Sequence, residues 1–175
     1  EFVADADVAI GAAVEMRNKL GEPLPTQALT ISAERPVIGT EIVSYAYANT
    51  TVVVDGEKSK INLKPRFYEG KLIRYFPIKR DSSTITWPCY ETSMPIYRAA
   101  SGGPVCRGDS GAAFAVNTSS IENSEDISFV TPLDFILDTE IDVQNAPGGK
   151  KRRLKIRDLI EEGVIASSVR SVPRD

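Results

Sequence analysis

Runs rich in Val, Ile, Tyr, Phe and Thr recur along the chain and are cut by Gly, Pro, Asn, Asp and Ser, the pattern of short strands in a barrel or sandwich. They predict strands at 7–12, 41–48, 51–54, 61–67, 71–77, 84–89, 104–106, 112–118 and 127–130, so the expected class is all-β. Asp55-Gly56, Glu69-Gly70 and Gly108-Asp109-Ser110-Gly111 each stand between two such runs, as hairpin loops do. Glu22-Pro23-Leu24-Pro25 and Glu34-Arg35-Pro36 bracket an extended connection, because each Pro pushes its predecessor out of the helical region.

Helical pattern comes late. Thr131-Pro132 ahead of Leu133-Asp134-Phe135-Ile136-Leu137 combines an N-cap, a first-turn Pro and an apolar stripe, and predicts a short helix over 132–138. A linker-like stretch at 144–149 follows. Lys150-Lys151-Arg152-Arg153 then opens a basic amphipathic stretch with Leu154, Ile156, Leu159 and Ile160 before Gly163. The main domain is placed at 1–145, and 146–175 is read as a basic linker and amphipathic tail whose charge is foremost a solvated face.

Composition narrows the function. At 175 residues one core of ordinary size fits. A net charge of -3 provides no field for nucleic acid or an anionic membrane, and no apolar run approaches the ~20 residues of a membrane span. The start, Glu1-Phe2-Val3-Ala4-Asp5, lacks the marks of a signal peptide, and nothing fixes a compartment. The chain has no His, so the commonest general base and metal ligand are both missing. With only Cys89 and Cys106 in addition, no metal site or cofactor is expected; a bridge between the two and free thiols remain equal alternatives. Sequons at Asn49 and Asn117 permit glycosylation without establishing it.

The segment that points to chemistry is Ala99-Ala100-Ser101-Gly102-Gly103-Pro104-Val105: a hydroxyl on a tight turn whose glycines let a substrate backbone come close. This stretch resembles the nucleophile loop of trypsin-like (chymotrypsin-fold) serine peptidases. In that family the Asp of the triad precedes the Ser and opens a strand of the form Asp-[Ile/Val]-Ala-[Leu/Ile]. Asp7-Val8-Ala9-Ile10 has this form, 94 residues ahead of Ser101, and 36–45 resembles the connector and first strand of the second barrel. Gly-Asp-Ser-Gly at 108–111 is a closer local copy of the digestive enzymes' motif. From Ser110, however, the chain is one strand short of what the family places after its nucleophile, so 108–111 is read as a hairpin turn.

The resemblance covers about residues 4–140. It implies a double β-barrel, with the second barrel and part of the first present, and a serine endopeptidase acting on a peptide or protein substrate. Ser101 is the implied nucleophile and Asp7 the orienting acid, with backbone N–H groups of Ala99 and Ser101 as the oxyanion hole. Pro95, Arg98 and Asn117 are the implied pocket residues, with Pro95 favouring small or apolar side chains and Arg98 acidic neighbours. The family's His lies upstream of its Asp, so the resemblance implies a His-bearing amino-terminal part outside this chain, with an N-terminal fragment of the same protein as a partner. Two departures matter: Ala99 stands where the family has Gly, and Ala100 where digestive members carry Asp, which points to a non-zymogen type. The alternative is a pseudopeptidase that binds peptides without cutting them.

Overall fold

The computed structural model describes residues 2–3, 8–10, 17–18, 20–23, 28–48, 50–56, 58–97, 99–120, 127–144 and 151–165. In chain order the strands are β1 (Phe2–Val3), β2 (Val8–Ala9), β3 (Glu41–Ala46), β4 (Thr51–Asp55), β5 (Lys58–Asn62), β6 (Arg66–Phe76), β7 (Cys89–Thr92), β8 (Pro104–Arg107), β9 (Ala113–Ser120), β10 (Ser128–Pro132), β11 (Glu140–Gln144) and β12 (Lys151–Lys155). A 3-10 turn spans Leu133–Ile136, and the helix α1 spans Ile156–Glu161.

Six strands close into an antiparallel barrel in the order β10-β7-β6-β3-β8-β9. Alternation along β3 explains its place: Ile42, Ser44 and Ala46 are buried, while Glu41 and Tyr45 are exposed. Inside, Ile42, Leu72, Tyr90, Met94, Val105, Phe114 and Val130 share one apolar cluster, each large side chain contributing about 1.5–3 kcal/mol by leaving water. A second cluster lies outside the barrel wall. There Val8, Ala113, Leu133 and Ile136 are buried, with Ile10, Ile31, Cys106, Val116 and Phe135 packed against them.

Several expected elements differ. Residues 61–67 and 71–77 are not two strands joined by a turn at Glu69-Gly70; β6 runs unbroken through both residues. Gly70 serves close packing instead, since a Cβ there would meet the Met94 backbone nitrogen at 2.8 Å. The strand expected at 84–89 begins only at Cys89. Ahead of it, the Asp81 carboxylate accepts the N–H groups of Ser83, Thr84 and Ile85 and turns the chain. The helix expected over 132–138 is the single 3-10 turn.

The basic stretch forms a strand before it forms a helix. β12 pairs with β11 in a register that sets Glu140 opposite Lys155 and Asp142 opposite Arg153, and such pairs favour a ladder. Arg152 bonds to Glu162 and Arg157 to Asp138, so most of the basic side chains are met by carboxylates. The division drawn at 145/146 lies between β11 and β12, outside the described residues. Among the described residues no helix is long and apolar enough to cross a membrane.

Candidate active site

The Ser101 turn leads into β8 and is held by β9. Gly102 N–H donates to the Asn117 carbonyl at 2.7 Å, and Asn117 N–H donates to the Gly103 carbonyl at 2.9 Å. Asn117 is buried, and its Nδ2 donates to Ser44 Oγ at 2.8 Å, which in turn donates to the Pro104 carbonyl at 2.7 Å. Loop and barrel wall are thus joined by one polar chain through the interior. Gly103 is required by space: a Cβ there would lie 3.0 Å from both the Ala100 carbonyl oxygen and the Ala46 Cβ.

Within the turn the peptide groups alternate in use. Ala100 N–H donates to the Tyr97 carbonyl at 3.3 Å, whereas the N–H groups of Ala99 and Ser101, on either side of it, bond to nothing among the described residues. Ala99 adopts φ 68°, the one left-handed non-Gly residue among those described. An L side chain there costs about 1–2 kcal/mol, and such strain persists where surrounding contacts over-determine it. Ala100 sits in the barrel cluster, 1% exposed, and contributes no charge.

Ser101 is exposed, and its Oγ donates to the Thr118 carbonyl at 3.2 Å. Thr118 is itself fixed. Its Oγ1 lies 2.6 Å from Thr131 Oγ1, a fully buried hydroxyl that also accepts Trp87 Nε1 at 2.9 Å. Pro95 is the centre of a three-residue turn in which Ile96 N–H donates to the Met94 carbonyl at 3.0 Å. Asp7 and Arg98 lie outside the described residues. Val8, which follows Asp7, is buried in the outer cluster with Val116, the neighbour of Asn117 on β9. The connector reaches the same strand, where Ala113 donates to Thr30 and accepts from Ser32.

Gly108–Gly111 lies in the connection between antiparallel β8 and β9, a hairpin as the strand count requires. Arg107 holds Asp109 with two hydrogen bonds, at 3.0 and 2.7 Å, and keeps its carboxyl down at about 2, so this acid is spoken for. Both cysteines are free thiols; burial pushes Cys89 up to about 11 and raises Cys106 as well. Among the described residues no three His, Cys, Asp or Glu side chains are placed to hold a metal. Burial of Asn117 also removes it as a glycan acceptor in the folded chain.

Two residues of the site escaped the sequence. Ser44 had a usable signal, a hydroxyl at the inward position between Ile42 and Ala46. Arg66 had none. It pairs with Ala46 across β3 and β6, leaves the barrel at its rim, and places its guanidinium 4.9 Å from the centre of the Tyr97 ring.

No family model matches the chain, and no curated protein matches it significantly. Solved structures do. A serine-to-alanine mutant of Rv3671c from M. tuberculosis, in its inactive form, is similar at 16% identity and TM-score 0.44 over 62% of this chain and 49% of that one. The active form of the same protease gives 18% identity and TM-score 0.44, with 62% and 44% covered. A variant of the HtrA-type protease AlgW with a decapeptide gives 15% identity and TM-score 0.47, with 82% and 35% covered. The chain therefore spans half or less of the length of each of these proteins.

Proposed function

We propose that this chain is the nucleophile-bearing part of a serine endopeptidase of non-zymogen type, whose triad His comes from outside these 175 residues. The observation that carries this reading is the Ser101 turn, where an exposed hydroxyl stands beside two unbonded N–H groups, one of them on a residue held left-handed. Ser101 Oγ attacks the peptide carbonyl while the His takes its proton. The N–H groups of Ala99 and Ser101 hold the oxyanion, and the His then passes the proton to the leaving amine. Water next attacks the acyl-enzyme with the same His as base, which frees the acid and restores Ser101.

Asp7, directly before the buried Val8, orients the His. Pro95 and Arg98 line the side-chain pocket, with the buried Asn117 as its inner wall. The peptidase unit occupies 1–145, with the β11–β12 hairpin straddling its end. Ala100 supports the non-zymogen assignment, because a buried methyl group there cannot pair with a new amino terminus. The partners are a peptide or protein substrate and the His-bearing segment of the same protein.

A pseudopeptidase is the second reading. It is favoured by the Ser101 proton resting on the Thr118 carbonyl. The test is cleavage of a fluorogenic peptide library by a protein that also carries the upstream sequence of the same reading frame. Cleavage abolished by Ser101→Ala supports the peptidase. No cleavage by a folded protein, or cleavage that survives Ser101→Ala, overturns it.

A further inference from the structure

Arg66 is one of several cations, Arg74 among them, that meet no carboxylate among the described residues. Arg35, Lys71, Arg80, Arg107, Arg152, Arg153, Lys155 and Arg157 all meet carboxylates. Arg66 bonds to none among the described residues, although the protein as a whole is acidic. Its place is particular. Cross-strand partners share a face, and the partners of Arg66 and Tyr68 on β3, Ala46 and Ser44, both point into the barrel. Arg66 is the last residue of that inward row, so its side chain emerges at the barrel mouth.

Three contacts set that mouth beside Ser101. The guanidinium lies over Tyr97, whose carbonyl closes the turn that carries the nucleophile. Ala46, opposite Arg66, is the residue against which Gly103 packs, with no room for a Cβ between them. Tyr68, two residues along β6, stacks near Tyr97 at 6.2 Å between ring centres. A guanidinium held by an aromatic face keeps its hydrogen-bonding edge free, and that edge matches a carboxylate in two-point fashion.

We propose that Arg66 is a substrate-recognition residue that binds a carboxylate of an acidic peptide placed across the Ser101 turn. The inference rests on the reading of that turn as a peptide-handling site. It requires no His and no cleavage, so the 175-residue chain itself can be tested.

Binding is measured by fluorescence anisotropy with three labelled decapeptides. One alternates Glu and Ala with an amidated end, one alternates Gln and Ala with an amidated end, and one is the Gln peptide with a free terminal carboxylate. The Glu peptide is expected to bind about tenfold more tightly than the amidated Gln peptide at low salt, a difference that shrinks at high salt. Arg66→Gln is expected to erase that difference, Arg66→Lys to restore part of it, and Lys79→Gln, which removes an equal charge beyond the far end of β6, to leave it intact. If the free-ended Gln peptide gains as much as the Glu peptide, the carboxylate recognised is the terminal one. Equal binding of all three peptides overturns the role of Arg66 and leaves the site standing. A preference that survives Arg66→Gln overturns it too. No binding of any peptide overturns the peptide-handling site itself, and Arg66's role with it.

Discussion

Asn117 Nδ2 donates to Ser44 Oγ at 2.8 Å inside the barrel, while the backbone of the same asparagine grips the two glycines that follow Ser101. One residue therefore couples the interior of the sheet to the turn that presents the hydroxyl. Ser44→Ala strands a buried amide and is expected to cost about 1–3 kcal/mol in urea unfolding. Ser44→Ala combined with Asn117→Ala removes both partners and is expected to cost less than the two single changes added together, a coupling that a double-mutant cycle reads directly. Strict additivity would show that the pair does not act as a unit.

Ala99 pays a conformational penalty that glycine would not. Ala99→Gly relieves the left-handed strain but gives the unfolded chain more freedom, so the expected net gain is about 0.5 kcal/mol in unfolding free energy. Ala99→Val places a branched side chain at the same φ and is expected to lose about 1 kcal/mol or more. A destabilised Gly variant would contradict the backbone described for the turn.

At Gly103 the limit is space. Gly103→Ala sets a Cβ at 3.0 Å from the Ala100 carbonyl oxygen and from Ala46 and at 3.1 Å from Asn117 Nδ2, an overpacking expected to cost about 1–3 kcal/mol. Gly102→Ala fails for a different reason, its φ of 80° with nothing crowding it. A second-site Ala46→Gly change should therefore relieve Gly103→Ala in thermal unfolding and leave Gly102→Ala as it was.

Acid should destabilise the fold in a defined window. Asp81 is held at about 2 by the N–H groups of Thr84 and Ser83, and Asp109 at about 2 by Arg107. Both carboxyls have folded values below their ordinary 3.8, so their stabilising contribution is complete above about pH 4 and is lost as pH falls toward 2. Asp81→Asn and Asp109→Asn should each flatten the fall in unfolding midpoint across that window. Between pH 5 and 7 the chain has no His to titrate, and the midpoint should stay level. A step in that interval would contradict this account.

The cysteines should be silent in the folded protein. Burial raises both thiols and keeps them protonated, so a disulfide exchange reagent at pH 8 is expected to label neither quickly and both in urea. Rapid labelling of Cys89 in the native state would show that its surroundings are open.

The barrel was largely legible because its strands alternate with period two and end at Gly, Pro and Asp. Gly70 misled because a glycine that admits Met94 reads the same in sequence as one that turns the chain. The ladder between β11 and β12 was hidden because its pairs, such as Asp142 with Arg153, are recognisable only once the register is known. The turn at Ser101 was legible from its glycines, and the 108–111 hairpin from strand order. Arg66 was not: its meaning comes from Ala46 and Tyr97, which lie 20 and 31 residues away in the chain.

The most direct test of the central claim is intact-mass analysis after treatment with a serine-reactive phosphonate, applied to a protein that includes the upstream sequence of the same reading frame. The account predicts one adduct in the wild type, none in Ser101→Ala, and an unchanged adduct in Ser110→Ala. A folded wild type that takes no adduct, or an adduct that persists in Ser101→Ala and vanishes in Ser110→Ala, would contradict it.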